Sequence, residues 1–105
     1  MDDRNFNALA DAALTRIEEM LEAVESGLDF EMLAGGIIEI EFDDGSKMVV
    51  NRHSVAREIW VAARSGGFHF RHDGERWLDT RDGEELFAKL NRLIGEQSGG
   101  KILLR

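Results

Sequence analysis

A chain of 105 residues, 43% apolar and 32% charged, is long enough to bury one core and too apolar to remain disordered. It has no cysteine, which excludes disulfides, thiolate metal sites and a Cys nucleophile, and makes a reducing cytoplasm the expected compartment. The net charge is −8, and residues 1–31 hold nine acids against Arg4 and Arg16, a net of −7; that distribution disfavours nucleic acid and favours cations or basic protein surfaces as partners.

The opening residues lack the basic and continuous apolar regions of a signal peptide, and no apolar run is long enough for a membrane span. Instead, Phe6, Leu9, Ala10, Ala13, Ile17, Met20, Leu21 and Val24 recur at spacings of three and four, which predicts a helix over about residues 4–26. Asp2 or Asp3 can cap its start, and Gly27 suits the left-handed position past its end. On that helix Asp11, Glu18, Glu22 and Glu25 share a narrow sector away from the apolar stripe. Glu19 lies on the flank, and Asp29 and Glu31 carry the negative charge into the next segment.

Strand signals follow every eight to twelve residues. Residues 30–33 form a short strand before the Gly35-Gly36 turn. Residues 37–42 alternate, with Ile38, Ile40 and Phe42 inward and Glu39 and Glu41 outward, and residues 43–46 make a hairpin turn. Residues 47–70 then read as three antiparallel strands, separated by Arg52-His53-Ser54 and by Ser65-Gly66-Gly67. Met48, Val50, Ile59, Val61, Ala63, Phe68 and Phe70 face a core; Val49, Asn51, Glu58, Trp60, Ala62 and His69 take the other face. Trp60 therefore sits on the polar side, either half-covered by neighbours or exposed as an anchor for a partner protein. After a turn at residues 72–74 comes a last short strand with Trp77, whose alternation alone does not fix its face.

Asp82, with Glu85 three residues on, predicts the cap of a second helix whose apolar face is Leu86, Phe87, Leu90, Leu93 and Ile94. Ser98-Gly99-Gly100 ends it, and residues 101–105 form a terminal strand or an extended tail. The expected fold is α+β: a two-layer sandwich in a single domain over residues 1–105, its antiparallel sheet covered on one face by the N- and C-terminal helices.

Two readings of the acidic helix face stay open. Like charges at i, i+4, such as Glu18 and Glu22, are tolerable as a solvated surface, although they destabilise a helix slightly. The same carboxylates suit hard cations; ligands from one helix face cannot surround an ion, so such binding is weak and poorly selective. His53, His69 and His72 lie on other elements, and no Glu-x-x-His pair of a di-iron bundle is present. Nor is there a phosphate-binding glycine loop or nucleotide fingerprint.

Several short stretches also carry a resemblance in their order and spacing. These are Ile17-Glu18-Glu19 followed by Leu21-Glu22, Gly35-Gly36, Phe42-Asp43-Asp44-Gly45-Ser46-Lys47 and Asn51-Arg52-His53. They continue with Ile59-Trp60-Val61-Ala62, Gly66-Gly67-Phe68-His69-Phe70, Trp77 and Arg81-Asp82-Gly83-Glu84. Together they resemble the frataxin family over nearly the whole chain, and its bacterial CyaY branch in length and order. The resemblance implies a non-enzymatic protein that binds Fe(II) or Fe(III) weakly and works with the cysteine desulfurase and the scaffold protein of iron–sulfur cluster assembly. It implies iron ligation by Asp11, Glu18, Glu19, Glu22, Glu25 and Asp29, and partner contact by Asn51, His53 and Trp60, with Glu18 and Glu22 docking on the desulfurase. A monomer without nucleic-acid or membrane partners is expected, with iron-dependent oligomers as the variation. The chain departs from the family at His53, usually Gln, at Ser54-Val55, where Pro is common, and at Asn7, a histidine in some bacterial members. The rival functions are a ferroxidase and iron-storage assembly, and a metal-independent acidic protein-binding module.

Overall fold

The computed structural model describes residues 1–102. Helix α1 (Asp3–Glu22) is followed by strands β1 (Leu28–Leu33), β2 (Ile37–Phe42), β3 (Lys47–His53), β4 (Glu58–Ala63), β5 (Gly66–His72) and β6 (Trp77–Asp79), then helix α2 (Leu86–Gln97). The strands pair in chain order, every pair antiparallel, so the sheet is a six-stranded meander. Phe6, Ala10, Ala13, Leu14, Ile17 and Leu21 of α1 and Leu86, Leu90, Leu93 and Ile94 of α2 join one core with the inward residues Ile38, Ile40, Met48, Val50, Ile59, Val61 and Phe70. Both helices therefore cover one face of the sheet, as the α+β reading requires.

The alternation of apolar residues along β2 to β5 is realised, with Ala63 and Phe68 only partly buried at the core's margin. Trp77 also faces inward, where its ring meets Phe6 edge-on at 6.1 Å. The β5–β6 register, Phe70 opposite Asp79, fixes that orientation.

The element ends differ from the sequence expectation, each for a physical reason. Helix α1 is capped by Asp2, whose side chain accepts from the Asn5 N–H at 2.8 Å, but it ends at Glu22 rather than near residue 26. Its last turn has no basic residue, so Glu19 and Glu22 face the negative end of the helix dipole. Gly27 is not its cap. With φ of 101°, Gly27 leads into β1, and a β-carbon there would stand 3.0 Å from Ile102 Cδ1. Strand β1 begins two residues earlier than expected, at Leu28. Arg52 and His53 belong to β3, and the hairpin turn is residues 54–57, where the His53 Nδ1 accepts from the Ala56 N–H.

The cap of α2 is Glu85, which accepts from the Phe87 and Ala88 N–H groups; Asp82 instead closes the preceding turn onto the Glu84 N–H. A bridge between Leu78 and Glu85 keeps the chain extended up to the helix. At the other end Gln97 is buried, donating to Ser46 Oγ and the Lys47 carbonyl while accepting from the Arg64 N–H; it ties α2 to two hairpins at once. Of the C-terminal segment, Lys101 and Ile102 are not in a strand, and Ile102 packs into the core; the rest of residues 101–105 lies outside the described residues.

Candidate metal ridge and partner face

Helix α1 places Glu18, Glu19 and Glu22 on its final turns, with Glu18 half-buried and the other two exposed. No basic side chain pairs with these three among the described residues. The other expected ligands are placed differently. Asp11 is exposed but ion-paired with Arg52 of β3. Glu25 lies past the helix end, in the exposed turn that leads to β1. Asp29 alternates with the core-packed Leu28 and Phe30, so it belongs to the sheet face turned away from the helices.

On that outer face the acids stand directly opposite one another: Asp29 across from Glu41, and Glu31 across from Glu39. Like charges at paired positions are destabilising. Lys47 offsets part of this: it donates to Glu39 Oε1 at 3.2 Å, and that bond, with the charges of Glu39, Glu41 and Glu31, raises its pKa. Among the described residues no three His, Asp or Glu side chains converge closely enough to hold a metal ion. The acids thus form an open surface of hard oxygen donors, suited to loosely held, partly hydrated cations.

The expected partner residues come together. Asn51 is paired with Trp60, and Trp60 with His69, across β3, β4 and β5. Trp60 is on the outer face, as alternation requires, but it is half-buried: His53 stacks on one side at 3.8 Å between ring centroids and His69 on the other at 4.4 Å. The indole N–H donates to Glu58 Oε1 at 2.8 Å. What the tryptophan offers a partner is therefore the rim of a stacked plate. Asn51 turns its amide back to the Arg52 carbonyl at 3.1 Å.

Glu58 takes the outer face that alternation assigns it, but it is not solvent-exposed there. It is on that face yet only 6% exposed, because Trp60 and Arg71 close over it; Arg71 Nη2 donates to its Oε2 at 2.8 Å. A buried carboxylate needs such donors. Trp60→Ala should therefore cost more than the loss of a free surface anchor: about 1–2 kcal/mol, still below the about 3–5 kcal/mol of a fully buried aromatic. Denaturant unfolding checks it; a loss at the fully buried level would mean that the stack holds the sheet together.

Alternation found the face of Glu58 but could not find its burial. The pairing of Arg52 with Asn7 and Asp11 is not legible in the sequence either, because more than forty residues separate them and no local signal links them.

Comparison with known proteins fits this architecture. The family model of the frataxin-like domain matches residues 1–100. The chain is 61% identical over 105 residues to the iron-sulfur cluster assembly protein CyaY of Dechloromonas aromatica, covering all of both chains. It is 45% identical to the protein of the same name from Cupriavidus taiwanensis, over 97% of this chain and 95% of that one. Among solved structures, frataxin of Psychromonas ingrahamii aligns with a TM-score of 0.85 at 30% identity, over 94% of this chain and 93% of the other. A trimeric frataxin from Saccharomyces cerevisiae aligns at 0.67 and 24% identity, over 90% of this chain and 78% of that one, a likeness of fold. With its family model spanning nearly the whole chain and its two helices laid over an antiparallel meander, the chain belongs to the frataxin family, on its bacterial CyaY side.

Proposed function

We propose that this chain acts in iron–sulfur cluster assembly as an iron-binding protein that supplies iron, or regulates its use, while docked on the complex of cysteine desulfurase and scaffold. One observation carries the reading: among the described residues Glu18, Glu19 and Glu22 stand without basic partners at the end of α1, in a chain whose relatives are named for iron–sulfur cluster assembly. Hard, exposed carboxylates take Fe(II) or Fe(III) and release it readily, which a delivery protein requires. Asp11 continues the acidic surface along α1 and Glu25 continues it past the helix end, while Asp29 joins the acids of the outer sheet face; the charge of α1 steers it onto a basic face of the desulfurase. The plate of His53, Trp60 and His69, with Asn51, faces the scaffold. In this reading the chain works by binding, as a monomer in the cytoplasm. Among the described residues no helix is long and apolar enough to cross a membrane.

Metal titration followed residue by residue in NMR tests the iron site. Fe(II), Mn(II) and Co(II) should compete for one set of signals centred on Glu18, Glu19 and Glu22, with micromolar or weaker affinity, since an all-oxygen set discriminates poorly among them. Tight, iron-selective binding centred on His53 or His69 would overturn it. Iron-dependent oxygen consumption with growing assemblies would favour the ferroxidase, and a spectrum indifferent to metal would favour the purely acidic docking module.

A further inference from the structure

Arg52 reaches from β3 to α1 and grips it at two points. Its Nη1 donates to Asn7 Oδ1 at 3.2 Å, and its Nη2 pairs with Asp11 Oδ1. The side chain is only 15% exposed, while Asp11 is 70% exposed. The guanidinium lies against Gly36, where an added β-carbon would stand 2.7 Å from its Nε. That Nε is buried and has no hydrogen-bond partner. An unmet buried donor costs free energy, so the gripped state is not a fully satisfied structural clasp. Beside it a groove of about 630 Å³, lined by Thr15, Met32, Leu33, Gly35 and Ser54 among others, gives the guanidinium room to leave. The Arg52 backbone stays fixed meanwhile, since its N–H donates to the Gly36 carbonyl and its carbonyl accepts from Asn51.

We infer that Arg52 is a latch on the metal surface of α1: it occupies Asp11 as an internal cation, so divalent metal and Arg52 compete for that carboxylate. This rests on the iron-binding reading of α1 and adds a rule to it. Metal fills the Glu18, Glu19 and Glu22 end first, where no base intervenes among the described residues. At Asp11 it meets a guanidinium on Oδ1 whose charge repels it, so full use of that carboxylate requires the guanidinium to leave. Displacement frees a positive group on the helix side of β3, the side opposite Asn51 and Trp60, so metal loading changes the charge beside α1.

Mn(II) broadening of amide signals in the full chain tests the latch. In the unmodified protein, signals of residues 18–22 should broaden at lower Mn(II) than those of residues 7–11. Arg52→Met, which keeps the stem and removes the charge, should lower the Mn(II) midpoint for residues 7–11 by about three- to tenfold and leave that of residues 18–22 in place. Adding Asp11→Asn should abolish the gain. Should the Arg52 variant fail to fold, Asn7→Ala, which removes one of the two grips, should shift the midpoint in the same direction. An unmodified chain that binds Mn(II) at residues 18–22, with no change at residues 7–11 in any variant, overturns the latch alone. A chain indifferent to Mn(II) along all of α1 overturns the metal reading and the latch with it.

Discussion

Lys89→Met should destabilise the protein by about 3–5 kcal/mol at neutral pH, the cost of leaving a buried charge without its partner. Lys89 lies on the core side of α2 and is 1% exposed. Its ammonium donates to Asp79 Oδ2 at 2.6 Å and Asp82 Oδ2 at 2.7 Å, with Glu84 Oε1 at 3.5 Å. The Phe68 ring lies 4.9 Å away. Asp82 and Glu84 reach water, but Asp79 is buried, and in the variant it keeps, among the described residues, the Arg81 N–H as its donor. The cluster pins the start of α2 to β6, so its loss should loosen one helix from the sheet. The double variant Asp79→Asn with Lys89→Met should recover part of the loss, because no charge is then left buried.

The pH dependence gives a second and sharper signature. Burial pushes Asp79 up, but the Lys89 hydrogen bond, the Arg81 N–H and the Lys89 charge outweigh it and hold its pKa below the usual range. The Lys89 and Glu84 N–H bonds hold Asp82 down, and Arg92 chiefly holds Glu84 down against its burial. Carboxyls with depressed folded pKa values contribute stability above their unfolded values, near 4, and lose it as the pH falls through the folded ones. Burial lowers the Lys89 pKa, but the bonds to Asp79 and Asp82 raise it further, so its contribution is complete below about 10.4 and lost only at higher pH. The unmodified protein should therefore weaken steadily in acid below about pH 4. In Lys89→Met the unpaired Asp79 is easier to bury protonated, so its contribution should improve as the pH falls. Melting curves from pH 7 to 3 decide it: parallel acid losses in both proteins would show that the cluster is not the acid-sensitive element.

Much of this architecture was legible because alternation and helical spacing are local. The inward residues of β2 to β5 and the stripe of α1 could be read directly, and with them the sides of the sheet. What escaped depends on contacts across the chain. Lys89 sits among Leu86, Leu90 and Leu93, and a lysine there looks like an interruption until β6 brings Asp79 beneath it. Asp82 and Glu85 both look like caps, and only the Leu78–Glu85 bridge selects the second. Of the six acids sharing the expected metal surface, three stand together on α1. The others are diverted by a distant arginine, by an earlier helix end, and by a strand whose alternation turns Asp29 to the other side.

Changing Glu18 and Glu22 together to lysine should leave the melting temperature unchanged or slightly raised while abolishing most metal binding. The two residues are one turn apart, so their repulsion costs about 0.2–0.5 kcal/mol. The last turn of α1 also has no basic residue to complement the dipole, and a cation there contributes about 0.3–1 kcal/mol. Lysines remove both penalties and place positive charge beside Glu19, so erasing the surface should relieve the helix. A surface that is only solvated would gain the same stability and lose nothing else. The functional reading requires more: metal affinity should collapse, and association with the desulfurase should weaken by about tenfold or more at low salt, where charge steering is strongest. The difference should shrink as salt is raised, because screening removes steering from the unmodified protein too. Melting, metal titration and desulfurase binding on the same variant separate the cases. A stabilised variant that still binds both metal and desulfurase like the unmodified chain would reduce the acids to a solvated helix face.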